Sequence, residues 1–336
     1  MMNPFASEFL FALTNPGSEM ALKLEAARLD LPWRPSYQRR GFVTFKSDKP
    51  MVFEALDVPL ACARRLCLSL GKCATYDLAR QRIGAALATQ AAPVVHHARF
   101  QARCMQGVHD AVAAAPPVRI GQVIGTIVEL GPDEYWAGLH RHAPFLSPEP
   151  AGDAAIVMPS RSPSRAWLKL EEAIRFFGLR FSPEDIVVEL GCAPGGVALA
   201  LLDRGVPVIG VDPAGLADAV LEYAVAQRQD APANRPWFFH CRKPAALVSK
   251  RDLGQGVTWF MSDMNQAPEV VLKECGRFCR MAPTISSALI TLKLTDLAQV
   301  AGKASWLEAL AAMGFRTIRL QQLSVHHKEF ALLALK

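Results

Sequence analysis

The stretch Ile186-Val187-Val188-Glu189-Leu190-Gly191-Cys192-Ala193-Pro194-Gly195-Gly196 decides how this chain is read. An apolar strand ends in a glycine-rich turn, a helical run follows, and a second apolar strand, Val208-Ile209-Gly210-Val211, closes on Asp212. That order is the layout of a nucleotide-binding βαβ unit, in which an acid lies about 20 residues beyond the turn. Gly191, Gly195 and Gly196 let the backbone turn sharply and come close to a ligand that a Cβ would exclude.

The departures from a dinucleotide fingerprint indicate which ligand. A pyrophosphate site has G-x-G-x-x-G opening directly into a helix. Here the spacing is G-x-x-x-G-G, with Pro194 inside the turn and Glu189 ahead of it. This suits a ligand built of an amino acid and a ribose, such as S-adenosylmethionine, with Asp212 accepting hydrogen bonds from ribose hydroxyls. The cofactor-binding candidates are Glu189, Gly191, Cys192, Ala193, Pro194, Gly195, Gly196, Asp212 and Asp263. A Rossmann-like domain that binds NAD, or no ligand, is the alternative.

Four further stretches lie outward from this turn: Leu168-Lys169-Leu170-Glu171, Ser262-Asp263-Met264, Leu292-Lys293-Leu294 and Lys328-Glu329-Phe330. Asp263 follows the apolar run Val257-Thr258-Trp259-Phe260-Met261, and Lys293 follows Ala288-Leu289-Ile290-Thr291-Leu292. Both positions are strand ends, where open α/β sheets bind ligands. Lys169 lies in the amphipathic run Trp167 to Phe177, where an exposed lysine is ordinary. Glu329 precedes Phe330 to Leu335, which reads as a final buried strand, so a solvated charge is its bland reading.

With Ser164 to Ala173, the glycine-rich turn, Met261 to Met264, Ile290 to Leu294 and Val325 to Glu329 in that order, the chain from about residue 160 onward resembles the FtsJ-type 2′-O-ribose RNA methyltransferases. Within that family it is most similar to the branch that methylates a cytidine ribose in 23S rRNA. The junction segment Pro132-Asp133-Glu134-Tyr135-Trp136-Ala137-Gly138, then Pro144-Phe145, resembles that branch too. The resemblance implies S-adenosylmethionine as cofactor, 23S rRNA or a ribosomal precursor as partner, and Lys169, Asp263, Lys293 and Glu329 as the catalytic set. It also implies an RNA-binding, THUMP-like unit in the N-terminal half. One position departs from the family: an acid usually follows the third strand to bind the adenine amino group, and here the sequence reads His240-Cys241-Arg242-Lys243.

The chemistry asks for such residues by itself. A ribose 2′-hydroxyl is a poor nucleophile, so methyl transfer requires the hydroxyl held in line and its developing charge stabilised. Lys293 is assigned to the 2′-oxygen, as base or electrostatic stabiliser. Asp263 orients Lys293 and lies close to the methyl group, and Glu329 completes the network by fixing a lysine or the ribose. Amino-directed methylation is disfavoured, because Asp263-Met264-Asn265-Gln266 is no Asn-Pro-Pro-aromatic motif. The rivals are a non-catalytic RNA-binding relic of the methylase fold and a ribose methylase acting on another RNA such as tRNA.

The expected fold class is therefore α/β, a Rossmann-like methyltransferase domain over residues 166–336, joined by a linker at 151–165 to an α+β domain over residues 1–150. In the latter, Phe9 to Leu13 and Gly41 to Phe45 read as strands around a helix from Gly17 to Leu29, residues 56 to 115 as partly helical, and Val118 to Leu130 with Tyr135 to His140 as paired strands. At 336 residues with half of them apolar, two cores are expected. A formal charge of +6 suits a polyanionic partner without demanding one. Arg161 and Arg165 in the Pro/Ser/Arg-rich connector are candidates for phosphate contact, and Trp33, Tyr37, Arg39 and Arg40 form a basic aromatic cluster. Exposed rings there would suit base stacking; buried rings would make the arginines ordinary surface.

Eight cysteines without a C-x-x-C pair, behind an N-terminus lacking the pattern of a signal peptide, are expected to be reduced and mostly buried. No metal is expected: the pairs His96-His97 and His326-His327 would diverge on regular elements. No apolar run is long enough to span a bilayer, so a cytoplasmic protein without a membrane partner is expected.

Overall fold

A computed structural model describes residues 5–90, 93–99, 118–154, 156–233 and 235–336. It contains two compact units, one of Met1–Ile156 with Gln321–His327 and one of Val157–Leu320 with Lys328–Lys336.

The first unit contains β1 (Ser7–Leu13), α1 (Glu19–Arg28), β2 (Arg34–Arg39), β3 (Phe42–Met51), β4 (Arg65–Cys73), α2 (Tyr76–Ala86), β5 (Val94–Arg99), β6 (Val123–Gly131) and β7 (Glu134–Arg141). Its seven strands form one sheet in the order β2-β3-β1-β4-β7-β6-β5. β5 runs parallel to β6, and the other neighbours are antiparallel. Phe11, Leu13, Phe42, Cys67 and Val128 make a closed apolar cluster, and removing such side chains from water is what holds a sheet of this kind together. Two buried carboxylates stitch loops to α1: Glu25 accepts the Ala61 and Cys62 amides at 2.8 and 3.0 Å, and Glu19 accepts those of Gly17 and Gly41.

Residues 56 to 115 are less helical than expected. Tyr76–Ala86 is a helix, but Arg65–Cys73 and Val94–Arg99 are strands, and residues 91–92 and 100–115 of that stretch lie outside the described residues. β4 is buried from Arg65 to Ser69 without alternation, so its sequence carries no period-two signal. The basic aromatic cluster takes its bland form. Trp33 is buried against Phe45, the Tyr37 ring packs on Trp136 at 5.6 Å, and Arg39 lies over the Tyr37 ring at 4.7 Å. Gln321–His327 joins this unit through Asn15, whose Nδ2 donates to the Leu323 and His326 carbonyls at 2.7 Å each.

The second unit contains α3 (Ala166–Phe177), β8 (Val187–Leu190), α4 (Gly196–Leu202), β9 (Val208–Val211), α5 (Asp218–Leu221), β10 (Ala224–Val225), β11 (Phe238–Cys241), α6 (Lys250–Leu253), β12 (Trp259–Ser262), α7 (Pro268–Met281), β13 (Ser287–Lys293), α8 (Lys303–Ala312), β14 (Thr317–Gln321) and β15 (Glu329–Leu335). The strand order is β10-β11-β9-β8-β12-β13-β15-β14. From β10 to β13 the strands are parallel, and β15 returns antiparallel beside β13. Strands buried on both faces read as continuous apolar runs, which is why β8, β9 and β12 were visible in the sequence.

The sheet starts at β8 and grows in both directions from it. Its switch point therefore falls between β8 and β12, and ligands of open α/β sheets bind outside the carboxyl ends of the strands there. Gly191 leaves β8 with φ +75, and a Cβ on it would lie 3.0 Å from the Met264 backbone. Only glycine gives that turn and that approach at once.

Candidate active site

Three strand ends and one helix bring the polar residues together. Asp263 follows β12, and its amide donates to the Leu190 carbonyl at the end of β8 at 3.1 Å. Lys293 closes β13, and Glu329 opens β15 directly opposite it in the antiparallel register. Lys169 comes from the first turns of α3. Its Nζ donates to Asp263 Oδ1 and Oδ2 at 3.1 and 3.2 Å and to Glu329 Oε1 at 3.0 Å. Lys293 Nζ donates to the Asp263 main-chain carbonyl at 2.8 Å and lies 3.2 Å from Asp263 Oδ1.

The four side chains are 13 to 23% exposed, so the cluster is screened from bulk water but open to it. Two ammonium and two carboxylate groups balance in formal charge, which lowers the cost of this partial burial. The two lysines differ in what they have left to give. An ammonium carries three N–H donors. Those of Lys169 meet three carboxylate oxygens, whereas among the described residues Lys293 has two acceptors, both on Asp263.

Beside this cluster the glycine-rich turn is held by Asp212, whose Oδ2 accepts the Ala193 amide at 3.2 Å and whose Oδ1 accepts the Ala214 amide at 2.9 Å. Pro194 accepts the Ala217 amide at 3.1 Å through its carbonyl, and Gly195 precedes α4 with φ +112. Gly196 serves packing: a Cβ there would lie 2.3 Å from Ser164 Oγ and 2.9 Å from the Trp167 amide, so it admits the start of α3. The Cys192 thiol is buried toward Gly210, where a Cβ would lie 2.8 Å from Sγ. Burial beside Glu189 and Asp212 raises that thiol far above its ordinary range, which removes it as a nucleophile.

Glu189 is the most unusual of the sequence candidates. It is 2% exposed, and its Oε2 has no hydrogen-bond partner among the described residues. Burial, reinforced by the Asp263 and Asp212 carboxylates, pushes its carboxyl well above the ordinary range. A buried acid with an idle oxygen between two other acids suits a cationic ligand at the mouth of β8. The sequence marked Glu189 only by its place before the turn.

His240 is the contact that sequence reading missed. It is the penultimate residue of β11, before Cys241, and its Nε2 donates to the Asp212 main-chain carbonyl at 2.9 Å. Its one sequence signal was negative, a histidine where the resembling family has an acid. Arg161 pairs with Asp203 within the unit. Among the described residues no group of three or more His, Cys, Asp or Glu side chains is placed to hold a metal ion.

The switch-point turn, the acid after β9 and the charged set at the strand ends lie in one doubly wound unit, at the place where open α/β sheets bind ligands. Residues 162–266 match the family model of FtsJ-like methyltransferases, so the likeness carried by the sequence motifs stands. The chain is 29% identical over 168 residues to the ribosomal RNA large subunit methyltransferase M of Halorhodospira halophila, covering 49% of this chain and 41% of that one. It is 36% identical over 95 residues to the protein of the same name from Ectopseudomonas mendocina, covering 26% of this chain and 27% of that one. The matched stretches thus span less than half the length of these relatives. A ribosomal RNA methyltransferase structure from Plasmodium falciparum superposes with a TM-score of 0.34 at 14% identity, covering 52% of this chain and 97% of that chain. No helix among the described residues is long and apolar enough to cross a membrane.

Proposed function

We propose that this chain is an S-adenosylmethionine-dependent 2′-O-ribose methyltransferase acting on RNA, and that its substrate is a cytidine of 23S rRNA. The observation that carries the reading is the closed set Lys169, Asp263, Lys293 and Glu329 beside a glycine-rich turn at the sheet switch point. The relatives named above, ribosomal RNA methyltransferases by name, support the RNA class of the substrate.

The residues present fit the cofactor. The idle Oε2 of Glu189, the cradle over Gly191 and the Asp212 carboxylate would receive its amino-acid and ribose portions, with Asp263 at the methyl side. When bound, S-adenosylmethionine supplies an electrophilic methyl group. Lys169 holds Asp263 and Glu329 in place, with all three of its donors engaged. Lys293 keeps one N–H for the ribose 2′-oxygen, and it stabilises the negative charge that grows there as the hydroxyl proton passes to solvent, to which the partly exposed cluster is open. Asp263, bound by both lysines, keeps the Lys293 ammonium aimed. Transfer is a direct in-line displacement with no covalent enzyme intermediate. The first unit, an α+β sheet for which the sequence resemblance implies a THUMP-like role, would position the RNA.

The test is transfer of labelled methyl from S-adenosylmethionine into purified unmodified 23S rRNA, with the product mapped by 2′-O-methyl detection. A single modified cytidine ribose supports the whole reading. Label in tRNA alone would replace the substrate and keep the chemistry. Absence of both transfer and cofactor binding would favour an RNA-binding relic, which the histidine in place of the family's acid makes the competing reading.

A further inference from the structure

We propose that His240 is a positioning residue that sets the ribose-binding Asp212 by gripping its main-chain carbonyl; this rests on the cofactor reading above. β9 and β11 are parallel neighbours with His240 opposite Gly210 and Cys241 opposite Val211. Their ladder weakens where it matters: the last main-chain bond, from the Asp212 amide to the Cys241 carbonyl, is 3.4 Å long. Beyond it the β9 chain must leave the sheet while still presenting the Asp212 carboxylate to the glycine-rich turn.

Side chains of β11 and its exit take over at that point. His240 Nε2 donates to the Asp212 carbonyl at 2.9 Å, and Arg242 Nε donates to the next carbonyl, that of Pro213, at 3.3 Å. Because a carbonyl only accepts, Nε2 must carry the hydrogen. The imidazole is itself seated: it lies 6.2 Å from the Phe238 ring, which occupies the space left by Gly210, where a Cβ would come within 2.3 Å of Phe238 Cζ. With its carbonyl fixed by His240 and its carboxylate fixed by the Ala193 and Ala214 amides, Asp212 is restrained at both ends. The position where the resembling family has an acid thus acts here on a neighbouring strand's exit.

The experiment is calorimetric binding of S-adenosylhomocysteine, which needs no RNA, to the wild type, His240→Phe, His240→Gln, Asp212→Ala and the double variant His240→Phe/Asp212→Ala. His240→Phe keeps the ring shape and loses the donor, and it should weaken binding roughly three- to tenfold, the worth of one hydrogen bond. His240→Gln restores a donor at similar reach and should recover most of the loss. Since His240 acts through Asp212, the double variant should bind no worse than Asp212→Ala alone. Equal binding by the wild type and His240→Phe would overturn the proposal, as would additive losses in the double variant. Failure of Gln to rescue where Phe weakens binding would also overturn it. A wild type that does not bind S-adenosylhomocysteine would instead remove the cofactor reading on which the proposal stands. Melting curves of all five proteins separate these outcomes from unfolding, and Gln supplies the informative variant should Phe not fold.

Discussion

Two polar clusters, one in each unit, are built on opposite rules. In the first unit Arg65 is wholly buried and donates to the carbonyls of Ser147 and Glu149 at 2.8 and 2.7 Å, with His140 Nε2 at 3.0 Å. Arginine can only donate, so His140 accepts at Nε2 and carries its hydrogen on Nδ1, toward Thr126 Oγ1 at 3.2 Å. Burial pulls Arg65 down to about 10, still cationic at neutral pH, and holds His96, His140 and His142 below their usual range, with Arg65 adding to the effect. Here a buried cation is met by neutral acceptors.

In the cluster of the second unit each of the four charges meets an opposite charge, the side chains are partly open, and Lys293 retains a donor among the described residues. The comparison teaches that shifted histidines do not by themselves mark a catalytic centre. Burial beside a structural arginine produces them equally well. What distinguishes the second cluster is spare donor capacity within reach of solvent, beside the glycine-rich turn.

The sharpest way to break the contrast is to cut each cluster once. Arg65→Met strips partners from two buried carbonyls and a buried imidazole, and it should destabilise the first unit by roughly 3 to 5 kcal/mol, about 10 °C in melting temperature. A loss below about 1 kcal/mol in a denaturant titration would mean that the buried arginine is not structural.

Acid should then separate the units. His96 is held down to about 4 by burial, then by Arg65 and His142, while an unfolded histidine titrates near 6.5. Above that value neither state is protonated and nothing is at stake. As pH falls from about 6.5 toward 4 the unfolded chain takes up protons that the folded one refuses, so stability drops, by about 3 kcal/mol for His96 alone. Denaturant titrations at pH 7 and pH 5 on the wild type and His96→Phe check this: the variant should show the shallower decline.

Glu189 carries the opposite sign. Its carboxyl is raised, so the folded state keeps a proton that the unfolded chain releases, and its contribution is lost as pH rises through the folded value. Glu189→Gln should therefore stabilise the second unit at neutral pH by about 1 kcal/mol while weakening S-adenosylhomocysteine binding, the usual opposition of stability and function. Melting and calorimetry on the same sample test both halves.

How far the sequence could be read differs between the units for physical reasons. In the second, strands buried on both faces appear as unbroken apolar runs, and Asp263 and Lys293 each lie at the end of one, so the candidate site could be located by strand ends alone. In the first, β4 is buried without alternation in an Ala-, Leu- and Cys-rich stretch, and its pattern cannot separate strand from helix. Three features left no local trace. The idle oxygen of Glu189, the His240 grip on Asp212 and the membership of Gln321–His327 in the first unit all depend on residues far apart in the chain.

The most direct test of the contrast is single-turnover methyl transfer by Lys293→Ala at saturating S-adenosylmethionine, with S-adenosylhomocysteine affinity and melting temperature measured on the same protein. Removing the lysine with the spare donor should slow transfer by about 10²- to 10³-fold, the worth of one transition-state donor. Stability should change by less than about 1 kcal/mol, as for a partly exposed ion pair, and S-adenosylhomocysteine affinity should hold within about twofold. Transfer at the wild-type rate would contradict the assignment of the second cluster as the catalytic one.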